Sequence, residues 1–162
     1  MTLTAQPASA MSLAGVAILA TPAAGLSPQA GAEFTYESAA ADLGMPAGLC
    51  AGRLNCASRA MKVVRMEMHT KTPELLSAVD GDAVICLAPP QEPKAGRLEG
   101  LRAVLVRQGQ SIVLAAGAWH WIPFPVGKAN VRFLVVFRGA TGQDDLNYCE
   151  LAESAALEIP KE

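Results

Sequence analysis

The chain contains 2 histidines, and one of them stands close in sequence to two carboxylates. Glu67 and His69 are separated by a single residue, and Glu74 follows His69 after four intervening residues. Side chains two positions apart on a β-strand point to the same face, so Glu67 and His69 would project together. With His120 they would supply two imidazoles and two carboxylates, a mixed N/O donor set suited to a divalent ion such as Ni, Mn, Zn, Fe or Co. The alternatives are a metal-free polar pocket and the solvated face of a sheet.

Glycines around these residues complete two longer motifs. Gly81 follows Glu74 after six intervening residues, and Gly109, Gly117 and His120 follow in that order downstream. The order resembles the signature of the cupin superfamily, G-x5-H-x-H-x3,4-E-x6-G and G-x5-P-x-G-x2-H-x3-N. The resemblance implies a metal site inside a β-barrel, built from Glu67, His69, Glu74 and His120. This sequence lacks the opening Gly, and its other departures are Glu67 for the first His, Ala115 for Pro and Phe124 for Asn.

Short strands and turns would position these residues. From residue 61 onward the chain consists of β-rich runs bounded by Gly, Pro or Asn, which are MKVVRMEMH, ELLSAV, AVICLA, LRAVLVRQG, QSIVLAAG, AWHWIPF and NVRFLVVFRG. Prolines and charges in residues 89–100 predict a long hairpin loop. A short helix around residues 8–14 is predicted to lead into a buried strand at 16–20. These runs predict an all-β sandwich or barrel with short helical segments near the N-terminus. The resemblance to cupins implies that it is a cupin-type antiparallel β-barrel (double-stranded β-helix or jelly roll).

Length and composition favour one domain over residues 1–162. The 162 residues are 51% hydrophobic, which is enough to bury a core. Within this domain, residues 1–60 should supply strands and loops that pack on the barrel. Residues 61–140 should form the barrel core with both motifs, and residues 141–162 a C-terminal strand or tail.

Charge and cysteine content exclude several classes of protein. With 13 Lys and Arg against 15 Asp and Glu, the chain lacks the basic surface that binds a nucleic acid backbone, and its mean hydropathy of +0.27 excludes a disordered chain. The 4 cysteines form no C-x-x-C pair and no zinc spacing, so we expect reduced thiols in a cytoplasmic protein. The apolar stretch 11–25 lacks the basic residues of a signal peptide and is too short to span a membrane.

Apolar residues next to the proposed ligands are expected on the opposite faces of their strands. Trp119 and Trp121 flank His120, and Met66 and Met68 flank Glu67, so strand alternation turns all four away from the pocket. A small barrel cannot bury all of them in its own core. Either the N-terminal segment or a second subunit must cover these faces, and we predict a homodimer, with Trp121 near a subunit or sheet-packing interface and not in the substrate pocket.

A closer resemblance, to the ureidoglycolate lyase family, covers most of the chain. Along the chain, the family's sequence motifs are aFapyGdvI, then an Arg followed by mErHp-x-x-x-Q and a turn, then LRAF, then G-x-WH-h-P, and finally RGg with an acidic stretch. They are matched in this order by residues 10–18, Arg53 with 66–69, Glu74 and Asp80-Gly81, 101–104, 117–120, and Arg138-Gly139 with Asp144-Asp145. This chain has Glu74 where the family usually has Gln, and Trp121 in place of the second His of a His-His pair.

This resemblance implies a metal-assisted lyase that splits ureidoglycolate, a small hydroxy acid, into glyoxylate and urea during allantoin and purine breakdown. The candidate catalytic residues are Glu67, Glu74 and His120, with either carboxylate able to take the hydroxyl proton. Arg53, by family position, or Arg65, which shares the face of Glu67 by strand alternation, could clamp the substrate carboxylate. The alternatives are another metal-dependent cupin enzyme, an isomerase or a dioxygenase acting on a small polar acid, and a non-catalytic cupin that binds a small ligand. Neither nucleic acid nor membrane is an expected partner.

Overall fold

The computed structural model describes residues 1–20, 29–30, 35–36 and 48–159. The parts of the predicted N-terminal segment and tail at 21–28, 31–34, 37–47 and 160–162 lie outside this range. The elements in chain order are β1 (Thr2–Thr4), β2 (Gln6–Pro7), α1 (Ala10–Leu13), β3 (Ala17–Leu19), β4 (Gln29–Ala30), β5 (Thr35–Tyr36), β6 (Leu49–Ala57), β7 (Lys62–Met68), β8 (Glu74–Ala78), β9 (Ala83–Ala88), β10 (Arg102–Val106), β11 (Ser111–Leu114), β12 (Trp119–His120), β13 (Phe124–Pro125), β14 (Asn130–Arg138), α2 (Thr141–Asp144) and β15 (Asn147–Glu158).

Two sheets form the walls of the barrel. The larger has eight strands, in the order β1-β15-β7-β12-β9-β10-β2 with β13 also paired to β9, and the smaller has the order β3-β11-β8-β14-β6. Strands β9 and β10 form an antiparallel hairpin, and the pairings β8 with β11 and β7 with β12 continue it outward. This is a long hairpin wound into a barrel, the double-stranded β-helix. The prediction of an all-β barrel is confirmed, and the loop at 89–100 joins β9 to β10 as expected.

Apolar alternation explains why these segments form strands. Along β14, Val131, Phe133 and Val135 are buried while the residues between them are exposed or half-buried, the pattern of a strand with one face on the core. Strand β9 is buried at all six positions, which matches its unbroken apolar run, AVICLA. The central strand of the larger sheet is therefore covered on both faces.

Apolar side chains form two core clusters. The first lies between the sheets and includes Leu76, Ile85 and Phe133. The second lies on the other face of the larger sheet and includes Met66 and Trp119, which are 0% and 2% exposed. Their place in a core is as expected. Of the two alternatives for covering this face, the N-terminal segment and a second subunit, the structure shows the first, with Leu3 in the cluster beside Phe124 and Leu157.

The N-terminal elements are shorter than predicted. Helix α1 covers four residues and begins at a capping box formed by Ser9 and Ser12. Strand β3 is only partly buried, with Ile18 44% exposed, because it is the outermost strand of the smaller sheet in the described part of the chain. Neither helix in the described part of the chain has the length or apolar content to cross a membrane. The 4 cysteines are free of disulfides, in agreement with the expected thiols.

Candidate functional site

Four polar side chains meet between the two sheets. Glu67 lies on β7, His69 follows one residue beyond its end, Glu74 begins β8, and His120 ends β12. Glu67 and His120 are direct neighbours across the β7–β12 pair. All four line one cavity of about 350 Å³. The structure thus brings together the four residues that the sequence proposed as metal ligands.

The carboxylate of Glu74 lies between the two imidazoles. Its Oε2 atom is 3.3 Å from Nε2 of His69 and 3.3 Å from Nε2 of His120. Oε1 of Glu67 is 3.7 Å from Nε2 of His120. The centroids of the two imidazole rings are 5.0 Å apart, with the rings inclined at 63°. Carboxylate oxygens and imidazole nitrogens therefore converge on one small volume.

Backbone carbonyls fix the orientation of both imidazoles. Nδ1 of His69 lies 2.8 Å from the carbonyl oxygen of Asp145, and Nδ1 of His120 lies 3.1 Å from that of Ala118. A carbonyl oxygen can only accept, so each Nδ1 donates its proton and the neutral ring carries its lone pair on Nε2. Both Nε2 atoms face the cavity, which is the orientation in which histidines with a backbone partner bind metal ions.

The side chain of Asp145 anchors the segment that follows His69. Its carboxylate accepts hydrogen bonds from the backbone N–H of Thr70 at 2.8 Å, the hydroxyl of Thr70 at 2.9 Å, and the N–H of Lys71 at 2.8 Å. Burial raises the pKa of Asp145, but these donors outweigh it and hold the pKa below its usual range. An ionised aspartate therefore sets the position of His69 through both its carbonyl and its carboxylate.

Burial and attraction oppose each other in the pKa values of the cluster. Burial raises the pKa of Glu74, but the two neighbouring imidazoles of His120 and His69 outweigh it and lower the pKa to about 2. Burial lowers the pKa of each histidine, but the neighbouring carboxylates, mainly Glu74, raise it above the usual value. Glu74 is therefore ionised, and the cluster attracts positive charge, either as protons on the rings or as a cation.

Glu67, His69 and His120 could hold a divalent metal ion. One ligand atom from each lies within 4.8 Å of the other two. Although Glu74 is close, Nε2 of His120 is buried without a well-formed hydrogen bond. An unsatisfied buried nitrogen is unfavourable, and a cation in the cavity would satisfy its lone pair. The residues present therefore fit a divalent ion with mixed N/O ligands.

Apolar side chains form most of the remaining cavity wall. The ring of Phe137 stacks on that of His69, with 6.4 Å between centroids and 12° between planes. The other apolar residues of the wall are Leu54, Leu76, Trp121, Ile122, Pro123, Val135 and Leu146. The polar cluster therefore lies in a surrounding of low dielectric, which strengthens its electrostatic interactions.

The two arginines proposed for substrate binding lie in different places. Arg53 lines the cavity from β6, but its cross-strand partner is the exposed Leu134, so its Cβ starts on the outer face of the smaller sheet. Arg65 does not line this cavity, and instead forms an ion pair with Glu150 on β15. The alternation that placed Arg65 beside Glu67 is therefore not enough to bring it into the site.

Trp121 lies in the cavity wall with His120, which corrects the prediction that it faces away. Alternation of side chains holds only within a strand, and β12 ends at His120. Trp119 follows the prediction, since it is buried in the second core cluster and its indole N–H donates to the carbonyl of Gln91 at 2.9 Å.

Sequence reasoning gave no role to Asp145 or Phe137, although both contact the site. Asp145 was noted only as part of an acidic stretch, and it lies 76 residues beyond His69. Such a distance leaves no local spacing from which the contact could be inferred.

We compared the chain with protein-family models, curated proteins and solved structures. The family model described as Ureidoglycolate lyase matches residues 22–158. No curated protein matches the chain. Among solved structures, the chain is similar to RmlC from Streptococcus suis in complex with dTDP-D-xylose, with 14% sequence identity, a TM-score of 0.41, and coverage of 84% of this chain and 69% of that chain.

Proposed function

The chain belongs to the ureidoglycolate lyase family, and from this premise we propose that it cleaves ureidoglycolate to glyoxylate and urea with the help of a divalent metal ion. The observation that carries the proposal is the convergence of two Nε2 lone pairs and the Glu74 carboxylate, at 3.3 Å, in a largely apolar cavity. We assign His69, His120 and Glu67 to the ion, with Glu74 as a fourth ligand. Ni, Mn, Zn and Fe all suit these donors.

Cleavage of ureidoglycolate requires two proton movements. The substrate hydroxyl loses its proton as its oxygen becomes the aldehyde oxygen of glyoxylate, and the departing nitrogen of urea gains one. A bound divalent ion would lower the pKa of that hydroxyl and hold it together with the neighbouring carboxylate.

We assign proton transfer to Glu67. It is half-buried at the cavity, whereas Glu74 lies between two imidazoles that lower its pKa to about 2 and make it a poor base. With one carboxylate oxygen for the ion, Glu67 keeps the other to accept the hydroxyl proton and return it to the nitrogen. His120, whose Nε2 faces both carboxylates, is assigned to the metal ion and not to proton transfer.

We assign the substrate carboxylate to Arg53. Among the described residues that line the cavity, it is the one arginine or lysine. Its guanidinium can reach around the edge strand β6 and form a bidentate pair with a carboxylate.

The test is release of glyoxylate and urea by protein that has been stripped with a chelator and reloaded with Mn, Ni, Zn or Fe. Ureidoglycolate should be cleaved by the reloaded protein and not by the stripped protein. Glu67→Gln should lower kcat by roughly a hundredfold or more, since it removes the base. Glu150→Gln, a matched change on β15 outside the cavity, should leave kcat unchanged. Absence of urea with every ion would favour another cupin activity or simple ligand binding.

We also propose a homodimer, formed through the outer face of the smaller sheet. Ile18, Val113, Leu75, Val136 and Ala51 lie in one cross-strand row on this face. Light scattering should then give about twice the chain mass of 16.8 kDa, and Ile18→Glu should give a monomer. A monomeric wild type would contradict the proposal.

The free thiols support a reducing compartment such as the cytoplasm.

A further inference from the structure

The cavity wall is poorly matched to a polar group beyond the reacting centre. Away from the carboxylates and histidines, the wall includes Leu54, Trp121, Ile122, Val135 and Leu146. Apart from the indole N–H of Trp121, which can only donate, these side chains offer no hydrogen bonds, so they offer no acceptor to the terminal NH₂ of a ureido group. Each amide N–H left without a partner in such a wall would cost about tenfold or more in affinity.

Three polar atoms in the same wall each already have one partner. The carbonyl oxygens of Ile122 and Pro123 accept hydrogen bonds from the guanidinium of Arg59 at 2.6 and 3.0 Å. The hydroxyl of Thr141 donates to the carbonyl of Arg138 at 2.7 Å. A ligand group in contact with this wall therefore meets mainly carbon.

Two glycines leave room in the wall. Gly52 on β6 and Gly142 on α2 both line the cavity, and a Cβ atom added at either would meet nothing within 4 Å. Neither residue has a positive φ, so backbone geometry does not require glycine at these positions. Glycine here keeps space open beside the apolar side chains.

We propose that the site takes amidoglycolates, HO–CH(COO⁻)–NH–CO–R, in which R is an aryl or branched alkyl group in place of the amino group of urea. The inference rests on the proposed function for its chemistry. The hydroxyl loses a proton, the C–N bond breaks with its electron pair going to nitrogen, and the nitrogen takes up the proton. The products are glyoxylate and the amide R–CO–NH₂, and no oxidant or reductant is required. R lies against the apolar wall beside Gly52.

Binding of two unreactive analogues tests the apolar subsite separately from catalysis. N-benzoylglycine and N-carbamoylglycine both lack the hydroxyl group of the substrate. They differ only in the group R, which is phenyl in the first and amino in the second. Isothermal titration of the metal-loaded protein should show the benzoyl compound binding at least about tenfold more tightly, because burial of a phenyl ring is strongly favourable. Equal affinities, or tighter binding of the carbamoyl compound, would overturn the inference.

A substitution at Gly52 locates the subsite. Gly52→Val should reduce the affinity for N-benzoylglycine about tenfold and reduce that for N-carbamoylglycine much less. Ala51→Val makes a matched change one residue away on the outer face and should alter neither affinity. If Gly52→Val lowers the thermal unfolding midpoint too far for titration, Gly142→Leu makes the same comparison. Unchanged benzoyl affinity in a folded variant would refute the placement.

Turnover separates failure of this inference from failure of the proposed function. N-benzoyl-2-hydroxyglycine should yield glyoxylate and benzamide with a kcat/KM at least about tenfold above that for ureidoglycolate. Cleavage of ureidoglycolate alone would support the proposed lyase activity and overturn the proposal that amidoglycolates with an aryl or branched alkyl group are substrates. Cleavage of neither compound would overturn both.

Discussion

Replacement of Asp145 by Asn should destabilise the fold and loosen the metal site together. The carboxylate accepts three hydrogen bonds, from Thr70 N–H, the Thr70 hydroxyl and Lys71 N–H, and the residue is 3% exposed. The amide of Asn has the same shape as the carboxylate, but its NH₂ group must face at least one of these three donors, and that hydrogen bond is lost. The hydrogen bonds that remain are weaker because their acceptor is no longer charged. Loss of one charged hydrogen bond and weakening of two others should cost about 3 kcal/mol of unfolding free energy at pH 7.

The pH dependence identifies the cause. The folded-state pKa of Asp145 is lowered below the value of about 3.9 expected in the unfolded chain. Its contribution to stability is therefore complete above that unfolded pKa, and it is lost as the pH falls through the lowered folded pKa. The difference in unfolding free energy between wild type and Asp145→Asn should be largest near neutrality and shrink as the pH falls below about 4.

Urea unfolding followed by circular dichroism measures this difference at each pH. Asp144→Asn is the matched control, because the neighbouring carboxylate is exposed and pairs with Lys71 and Arg138 at the surface. Its effect should be small at every pH. Since the Asp145 carbonyl also holds His69, Asp145→Asn should weaken Zn²⁺ binding about tenfold to a hundredfold. A difference in stability that is constant with pH would refute the reasoning, as would a loss under about 0.5 kcal/mol.

Three further predictions concern the ligands, the thiols and one turn. His69→Ala and His120→Ala should each abolish stoichiometric metal content by elemental analysis, and a metal content equal to wild type in both would exclude the site. In the native protein, Ellman's reagent should titrate Cys50 alone, because the other three thiols are buried with raised pKa values, and all four should react in denaturant. Gly109→Ala should lower stability by about 1 kcal/mol in urea unfolding, because its φ of 82° strains an L-residue although its surroundings are open, and an unchanged midpoint would contradict this.

The residues that could be predicted from sequence are those whose spacing follows strand geometry. Glu67 and His69 lie two apart at the end of one strand, and Glu74 and His120 stand at motif positions in neighbouring strands, so the family pattern placed all four in one cavity. The barrel itself followed from short β-rich runs and their turns. These features depend on local periodicity, which sequence carries directly.

The errors occurred where a strand ended or where a contact was distant in sequence. Trp121 was placed by extending alternation one residue beyond β12, and Arg65 by assuming that shared orientation brings a side chain into the site. Asp145 was missed because its partners precede it by 74 to 76 residues. Only the folded arrangement of β7, α2 and β15 brings it to His69.

The pairing of the first strand has a consequence for synthesis on the ribosome. Strand β1 lies parallel to β15, with Thr2 opposite Ala156 and Thr4 opposite Glu158. The residues of β1 therefore find their partner only after β15 has been translated. During that interval Leu3, which is 9% exposed in the folded protein, is available to chaperones or to other nascent chains. This edge of the larger sheet should form only after β15 has been translated, and we expect folding on the millisecond to second scale typical of β-proteins dominated by distant pairings.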